Sequence, residues 1–350
     1  MANLVTVTKE SRIFLKIGGV VVGALILIYF IVKGGALMRD VFFPKPPPPP
    51  AQAFGPLPPI DFPAKGSQGI NFNINTVDGQ LPVLPDRVNI YTIQTAEPNL
   101  LALENAKNTL DSANFVSNQV KKSSTLYQWT QAKTGVIIEY DITTKNFSIS
   151  SNYLYNPALS SSSLLPDEEN IKDDVLGFLQ TVQAETNSLD LEKTKVEYLE
   201  NNNGTLIAAQ NLGSAKYARV TFQNSVIDDI PIVYDSPTES NVMFVVSYPP
   251  SGFQILEGRF YNHKINPEEK SDYPIKSSEQ AFADLTNGNA YIINPQNLTQ
   301  VDITNVELRY YLSNKNSGFL LPVIIFTGVN GFYAYVDAIP EESQSTPSPL

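Results

Sequence analysis

Residues Ile13 to Val32 read IFLKIGGVVVGALILIYFIV, twenty positions in which Lys16 is the one charge. As a helix rising about 1.5 Å per residue, this run measures roughly 30 Å, the hydrocarbon thickness of a bilayer. It therefore predicts a single membrane-spanning helix, with Lys16 one turn inside and long enough to reach the headgroups. The alternative is a cleaved leader, with Lys9, Arg12 and Lys16 as its basic flank and Gly34 and Ala36 as small residues at a cut site. The run is longer than the roughly 7 to 15 residues of a usual leader core. A lipid anchor on cysteine is excluded, because the chain has none.

Flanking charge does not orient the helix, since Lys9, Arg12 and Lys16 on one side balance Lys33, Arg39 and Lys45 on the other. Residues 46–350, with 18 basic and 33 acidic residues, break the tie. An anionic cytoplasmic leaflet repels such a chain, so the expected location is the cell membrane, N-terminus inside and C-terminal domains outside. The same acidity argues against nucleic acid as a partner.

The stretch PKPPPPPAQAFGPLPPIDFP, residues 44–63, lacks the amide donors that helix and sheet need. It is expected to be a polyproline spacer of up to roughly 60 Å, a groove-binding PxxP ligand being the lesser alternative. Phe54, Leu57, Ile60 and Phe62 are too apolar for a free linker and are expected to lie along the first domain.

Beyond the spacer, helical spacing of apolar residues appears in three places. Leu100, Leu103, Ala106, Leu110 and Ala113 form one stripe, and Ile171, Val175, Phe178 and Val182 form another behind the acidic Asp167, Glu168 and Glu169. The third helix opens on a capping box of Ser277 and Gln280, buries Ala281, Phe282 and Leu285, and stops at Gly288. Alternating strands follow each helix. Val136 to Ile142 turns back into Phe147 and Ile149, and PVIIFT meets FYAYVDAI across Asn330-Gly331, a tight-turn pair. The expected fold class is α+β: one N-terminal transmembrane helix, a Pro-rich spacer, then two or three helix-plus-antiparallel-sheet modules. The expected division is a cytoplasmic tail (1–12), the membrane helix (13–32), a juxtamembrane and Pro-rich spacer (33–63), a first domain (64–158), a second (166–340) and a disordered tail (341–350).

The order AKYARVTFQ, DDIPIVY, FQILEGRFYN, YPIKSSEQAFADLTNG, VELRYYLS, FLLPVIIF and GFYAYVDAI resembles the YycH/YycI group over residues 216–339. Ser278, Ala281 and Leu285 match that family's helix, Leu308, Tyr310 and Tyr311 its LGYY strand, and Pro322-Val323 its Pro-Val. Arg309 stands where the strand usually has glycine, and Ile324 where the family tends to have tryptophan. The resemblance implies PepSY-related modules and a role as a single-pass extracytoplasmic regulator of a cell-wall histidine kinase.

No catalytic, cofactor-binding or metal-ligating motif stands out. His263 is the only histidine and sits in the turn-like YNHKINPEEK, where a solvated loop is the plain reading. No Gly-x-Ser-x-Gly elbow, Ser-x-x-Lys dyad or Gly-Lys pair occurs. Asp173-Asp174, Asp228-Asp229 and Glu268-Glu269 are read as solvated charge, and Asn71 to Asn75 as an alternating strand, not a calcium loop.

Two recognition elements remain. Gly19 and Gly23 form a GxxxG on the apolar helix, spaced for helix pairing. Aromatics on the strands, Tyr127, Trp129, Tyr311, Tyr333 and Tyr335 foremost, are candidates for a binding surface. The expected function is a non-enzymatic, membrane-anchored extracytoplasmic binding or regulatory protein, partnered by the bilayer and by another membrane or surface protein, or itself. A glycan-binding surface subunit and a carboxylate-based glycoside hydrolase are the alternatives.

Overall fold

In the computed structural model of the chain, residues 18–29, 33, 48–63, 69–94, 99–117, 119–161, 164–293, 298–313 and 318–345 are described. Two compact units divide at residue 49. In the first, residues 18–29 are helical (α1) and leave Val20, Leu25, Leu27 and Ile28 exposed. No helix among the described residues is long and apolar enough to cross a membrane. The expected spanning helix over 13–32 is corrected accordingly: the structure does not support it. Residues 13–17 and 30–32 lie outside the described residues.

The second unit is dominated by strands. In chain order it comprises β1 (Asn71–Ile74), β2 (Arg87–Ile93), α2 (Ala102–Ser112), β3 (Val120–Lys121), β4 (Leu126–Thr130), β5 (Ile137–Asp141), β6 (Phe147–Ser150), α3 (Glu168–Thr181), β7 (Leu189–Asn202) and β8 (Thr205–Ala208). There follow β9 (Tyr217–Asn224), β10 (Ile232–Val233), β11 (Val242–Ser247), β12 (Gln254–Phe260), β13 (Ile265–Pro274), α4 (Ser278–Thr286), β14 (Tyr291–Ile293), β15 (Gln300–Tyr311), β16 (Phe319–Gly328) and β17 (Phe332–Asp337). A nine-stranded sheet runs β3-β4-β5-β6-β12-β11-β9-β7-β8. An eight-stranded sheet runs β1-β15-β16-β17-β14, with β10 on β15 and with β2 joining β13 to β16.

These two large sheets correct the expected α+β class. The three helix-plus-meander modules do not form in series, because β6 pairs with β12, setting Phe147 opposite Phe260 and Ile149 opposite Gly258. The nine-stranded sheet thus draws on both sides of the boundary expected between residues 158 and 166. The small helices cap the sheets and do not define modules.

Period-two alternation decides what each face does. On β9, Ala218, Val220 and Phe222 are buried with Trp129, Phe147 and Phe244 beneath Leu110 of α2 and Ile171, Val175 and Leu179 of α3. Arg219 and Thr221 point the other way. Asp167 caps α3, its side chain accepting from the Asn170 amide at 2.9 Å. The capping box of Ser277 and Gln280 is formed on α4, whose Ala281 and Leu285 are buried and whose Phe282 ring lies 6.1 Å from Phe326.

The opposite face of the eight-stranded sheet is closed by residues 51–63. The Ala51 amide donates to Asp272 Oδ1 at 2.8 Å, Ala53 to Ser271 Oγ at 2.8 Å and Phe54 to Tyr273 Oη at 3.0 Å. Leu57 exchanges backbone bonds with Ser343 and Ser345, at 2.9 and 2.7 Å. Leu57, Ile60 and Phe62 are buried, Phe54 stacks on Tyr273, and Phe62 stacks on Tyr291 and tilts against Tyr311. The second half of the Pro-rich stretch is therefore a docked strap, not a spacer, and it lies on C-terminal strands rather than on residues 64–158. Its partner segment is ordered through Ser345, which shortens the expected disordered tail; residues 346–350 lie outside the described residues.

Pro322 sits in β16 between two paired neighbours. Its carbonyl accepts from Ala338 just past the end of β17, so the amide it lacks falls where the ladder has already ended.

Candidate functional site

A cleft of about 600 Å³ opens where the polar face of the nine-stranded sheet meets β10 and β15. Residues 50–350 contain four arginines, and three of them, Arg219 of β9, Arg259 of β12 and Arg309 of β15, line this cleft together with Lys195 of β7. Arg219 and Arg259 sit on the strand phase opposite the helix-covered core, and Arg309 shares its phase with the buried Tyr311.

Each guanidinium is held by a carboxylate. Arg219 Nη1 lies 3.0 Å from Glu197, its cross-strand partner on β7, and Arg259 Nη2 lies 2.6 Å from Glu239. Arg259 Nε also donates to the Ser240 carbonyl at 2.9 Å. Arg309 Nη2 meets Glu307 two residues away on the same face at 2.9 Å, and among the described residues its buried Nε has no acceptor. Glu257, the remaining acid in the cleft wall, accepts the Tyr153 hydroxyl at 2.8 Å. The arginine side chains are about a third exposed, and ion pairs this wet contribute roughly 0–1 kcal/mol. Such pairs orient a guanidinium without committing it, so an incoming carboxylate replaces a glutamate at little cost.

The wall carrying β10 is set by buried polar contacts. Tyr234 Oη donates to Asn224 Oδ1 at 2.6 Å, and Asn224 Nδ2 donates to Asn262 Oδ1 at 2.9 Å. Asn241 Nδ2 reaches the Leu312 carbonyl at 3.2 Å, tying the β11 side of the nine-stranded sheet to the end of β15. Burial raises the Tyr234 hydroxyl above its ordinary range, so it stays a neutral donor.

The aromatic surface expected from sequence is corrected in four of its five members. Tyr127, Trp129, Tyr311 and Tyr335 are buried, and Tyr333 is half-buried. Tyr127 and Trp129 occupy the helix-covered face of β4; Tyr311 lies under the strap, where its hydroxyl donates to Asp235, and Tyr335 packs edge-on against Tyr311. Gly19 and Gly23 lie on α1, and a Cβ added at either meets nothing within 4 Å.

His263 also departs from expectation. It is buried, with Nε2 3.2 Å from the Ser313 carbonyl, and desolvation lowers it from the usual imidazole value. Asp228 and Asp229 form a two-residue left-handed turn, φ 49° and 60°, between Ile227 and Ile230, which exchange both backbone bonds. Asn89 and Tyr91 donate to the Asp228 carboxylate at 2.6 and 2.5 Å and hold it below the ordinary carboxylate range. Asp174 accepts the Tyr248 hydroxyl and Glu269 the Thr92 hydroxyl.

Sequence reasoning did not find Arg219, Arg259 or Lys195. One signal for the arginines was present: arginine is scarce in this chain. Arg309 alone was singled out, as a departure from a glycine.

No family model matches the chain, and no curated protein matches it, so no match links it to the YycH/YycI group. Among solved structures it is similar to an uncharacterized protein from Eubacterium rectale, at a TM-score of 0.36 and 14% identity, over 80% of this chain and 92% of that one.

Proposed function

We propose that this chain is a non-catalytic binding protein whose cleft receives a carboxylate-bearing segment of another protein. The convergence of Arg219, Arg259 and Arg309 on one cleft of an otherwise acidic chain, net charge −11, carries this reading. Acidic residues elsewhere on the surface repel an acidic partner, whereas in the cleft three guanidiniums can exchange their glutamates for an incoming carboxylate. A regulatory role draws only on the resemblance of residues 216–339, and it belongs to the same proposal.

The proposal includes membrane association, with residues 50–350 on the extracytoplasmic side. The exposed apolar residues of α1 support contact with lipid, and the net −15 of residues 46–350 supports the side. Protease shaving of intact cells that leaves these residues uncut would count against that location.

The binding test compares a labelled Asp/Glu-rich octapeptide with its Lys-rich counterpart on the full chain. The acidic peptide is expected to bind more tightly. Arg219→Gln and Arg259→Gln each weaken it by about 1.5 kcal/mol, roughly tenfold, from one lost charged hydrogen bond. Equal binding of the two peptides, or variants that bind like the unaltered chain, overturns the reading.

A further inference from the structure

One edge of β15 is only partly used. Its other edge pairs with β16 from Ile303 to Tyr311, so β1 and β10 share the remaining side. β1 pairs in parallel with Gln300 to Ile303, and β10 pairs in parallel with Tyr310 and Tyr311. Between them no described strand pairs with residues 304–309. The vacant stretch is about 20 Å of backbone at 3.3 Å per residue.

The phase of the backbone groups follows from the bonds on either side. Tyr310 and Leu312 donate outward, to the Pro231 and Val233 carbonyls, both at 2.9 Å. Val306 and Leu308 share that phase, so each presents an N–H and a C=O to the vacancy. The register shift between Ile303 and Asn305 changes the phase on the β1 side, where the Ile303 carbonyl faces outward and accepts from Asn75 at 2.8 Å. Asn305 is exposed, and Glu307 and Arg309 are about a third exposed. The usual protections of an edge, proline or an unpaired lysine, are missing from 304–309, and the one charge pair there neutralises itself.

We propose that residues 304–309 of β15 form a strand-addition site, at which an extended segment of a partner protein fills the interval between β1 and β10. This rests on the reading of the chain as a protein-binding module and specifies how the partner is held. The segment runs parallel to β15, because the strands at both ends of the interval do. Its main chain takes four hydrogen bonds from Val306 and Leu308. Its side chains alternate: apolar ones continue the face of Val306 and Leu308, and acidic ones fall on the face that Arg309 shares with Glu307, at the mouth of the arginine cleft, where they displace Glu307 from the guanidinium.

The probe is a capped hexapeptide of alternating valine and glutamate, added to the full chain. Amide hydrogen exchange at Val306 and Leu308 is expected to be fast in the unliganded chain and to slow about tenfold or more as peptide saturates, one bonded donor being worth roughly a decade. Leu308→Pro removes one outward donor while leaving the β16 side of the ladder intact, and it weakens binding by a similar factor. Exchange is read on the unaltered chain, so the result stands whether or not that variant folds. Amides at Val306 and Leu308 that are already protected without peptide, or that stay fast at saturation, overturn the proposal, as does a failure of the hexapeptide to bind. A peptide that binds, loses affinity in Arg219→Gln and leaves both amides unprotected overturns strand addition while keeping the cleft reading.

Discussion

His263 shows how a single side chain changes meaning between sequence and fold. Read locally it is a loop residue among polar neighbours, yet it is buried beside the Ser313 carbonyl and its pKa is lowered from 6.5. A histidine kept neutral by the fold contributes stability above its unfolded pKa and loses it on acidification, because the unfolded chain takes up the proton first. Unfolding free energy is therefore expected to fall as pH drops below about 6.5, and His263→Gln is expected to flatten that part of the profile. Denaturant titrations from pH 7.5 to 5 check this; equal slopes in the two proteins would refute it. Tyr127, Trp129, Tyr311 and Tyr335 carry the same lesson. Alternation assigned each to one of two strand faces, but which face meets water depends on α2, α3 and the strap. Arg219 and Arg259 of the cleft lie on the phase left over, legible only once the core phase is known.

At the scale of elements, several features were legible because their causes are local. Ser277 and Gln280 cap α4, Asp167 caps α3, and Asn330 and Gly331 adopt positive φ, 58° and 73°, between β16 and β17. The docking of the Pro-rich strap was half legible: its apolar residues signalled burial, but nothing in them named C-terminal strands as the surface. Prolines lower the conformational entropy the strap loses on docking, and each fully buried apolar side chain adds about 1.5–3 kcal/mol. Leu57 is fully buried whereas Val83 is exposed. Leu57→Ala is expected to cost about 2–5 kcal/mol, and Val83→Ala within roughly 0.5 kcal/mol of nothing. Urea unfolding midpoints decide the matter, and comparable losses in the two variants would mean the strap is not part of the core.

Over the whole molecule, the chain enters the eight-stranded sheet with β1 and β2, leaves for β3 to β9, returns for β10, leaves again for β11 and β12, and finishes with β13 to β17. Four crossings of this kind, with Asn241 bonded to the Leu312 carbonyl, make separate unfolding of either sheet costly. Trp129, the only tryptophan, reports on the nine-stranded sheet, and Leu320 is fully buried in the eight-stranded one. Leu320→Ala is expected to lower the denaturant midpoint seen by Trp129 fluorescence in step with its cost of about 2–5 kcal/mol. A tryptophan transition that stays in place would show that the sheets unfold independently. What the sequence determined by itself was local: the caps of α3 and α4, the turn at Asn330-Gly331, the apolar stripes of the helices, and that the Pro-rich stretch cannot be wholly free. Which strands pair, which faces are covered, and that three arginines meet in one cleft were decided by the tertiary structure. The physical reason is that backbone donors and acceptors are the same at every strand residue, so a strand's sequence marks its own phase but not its partner, which is chosen by packing across the whole chain.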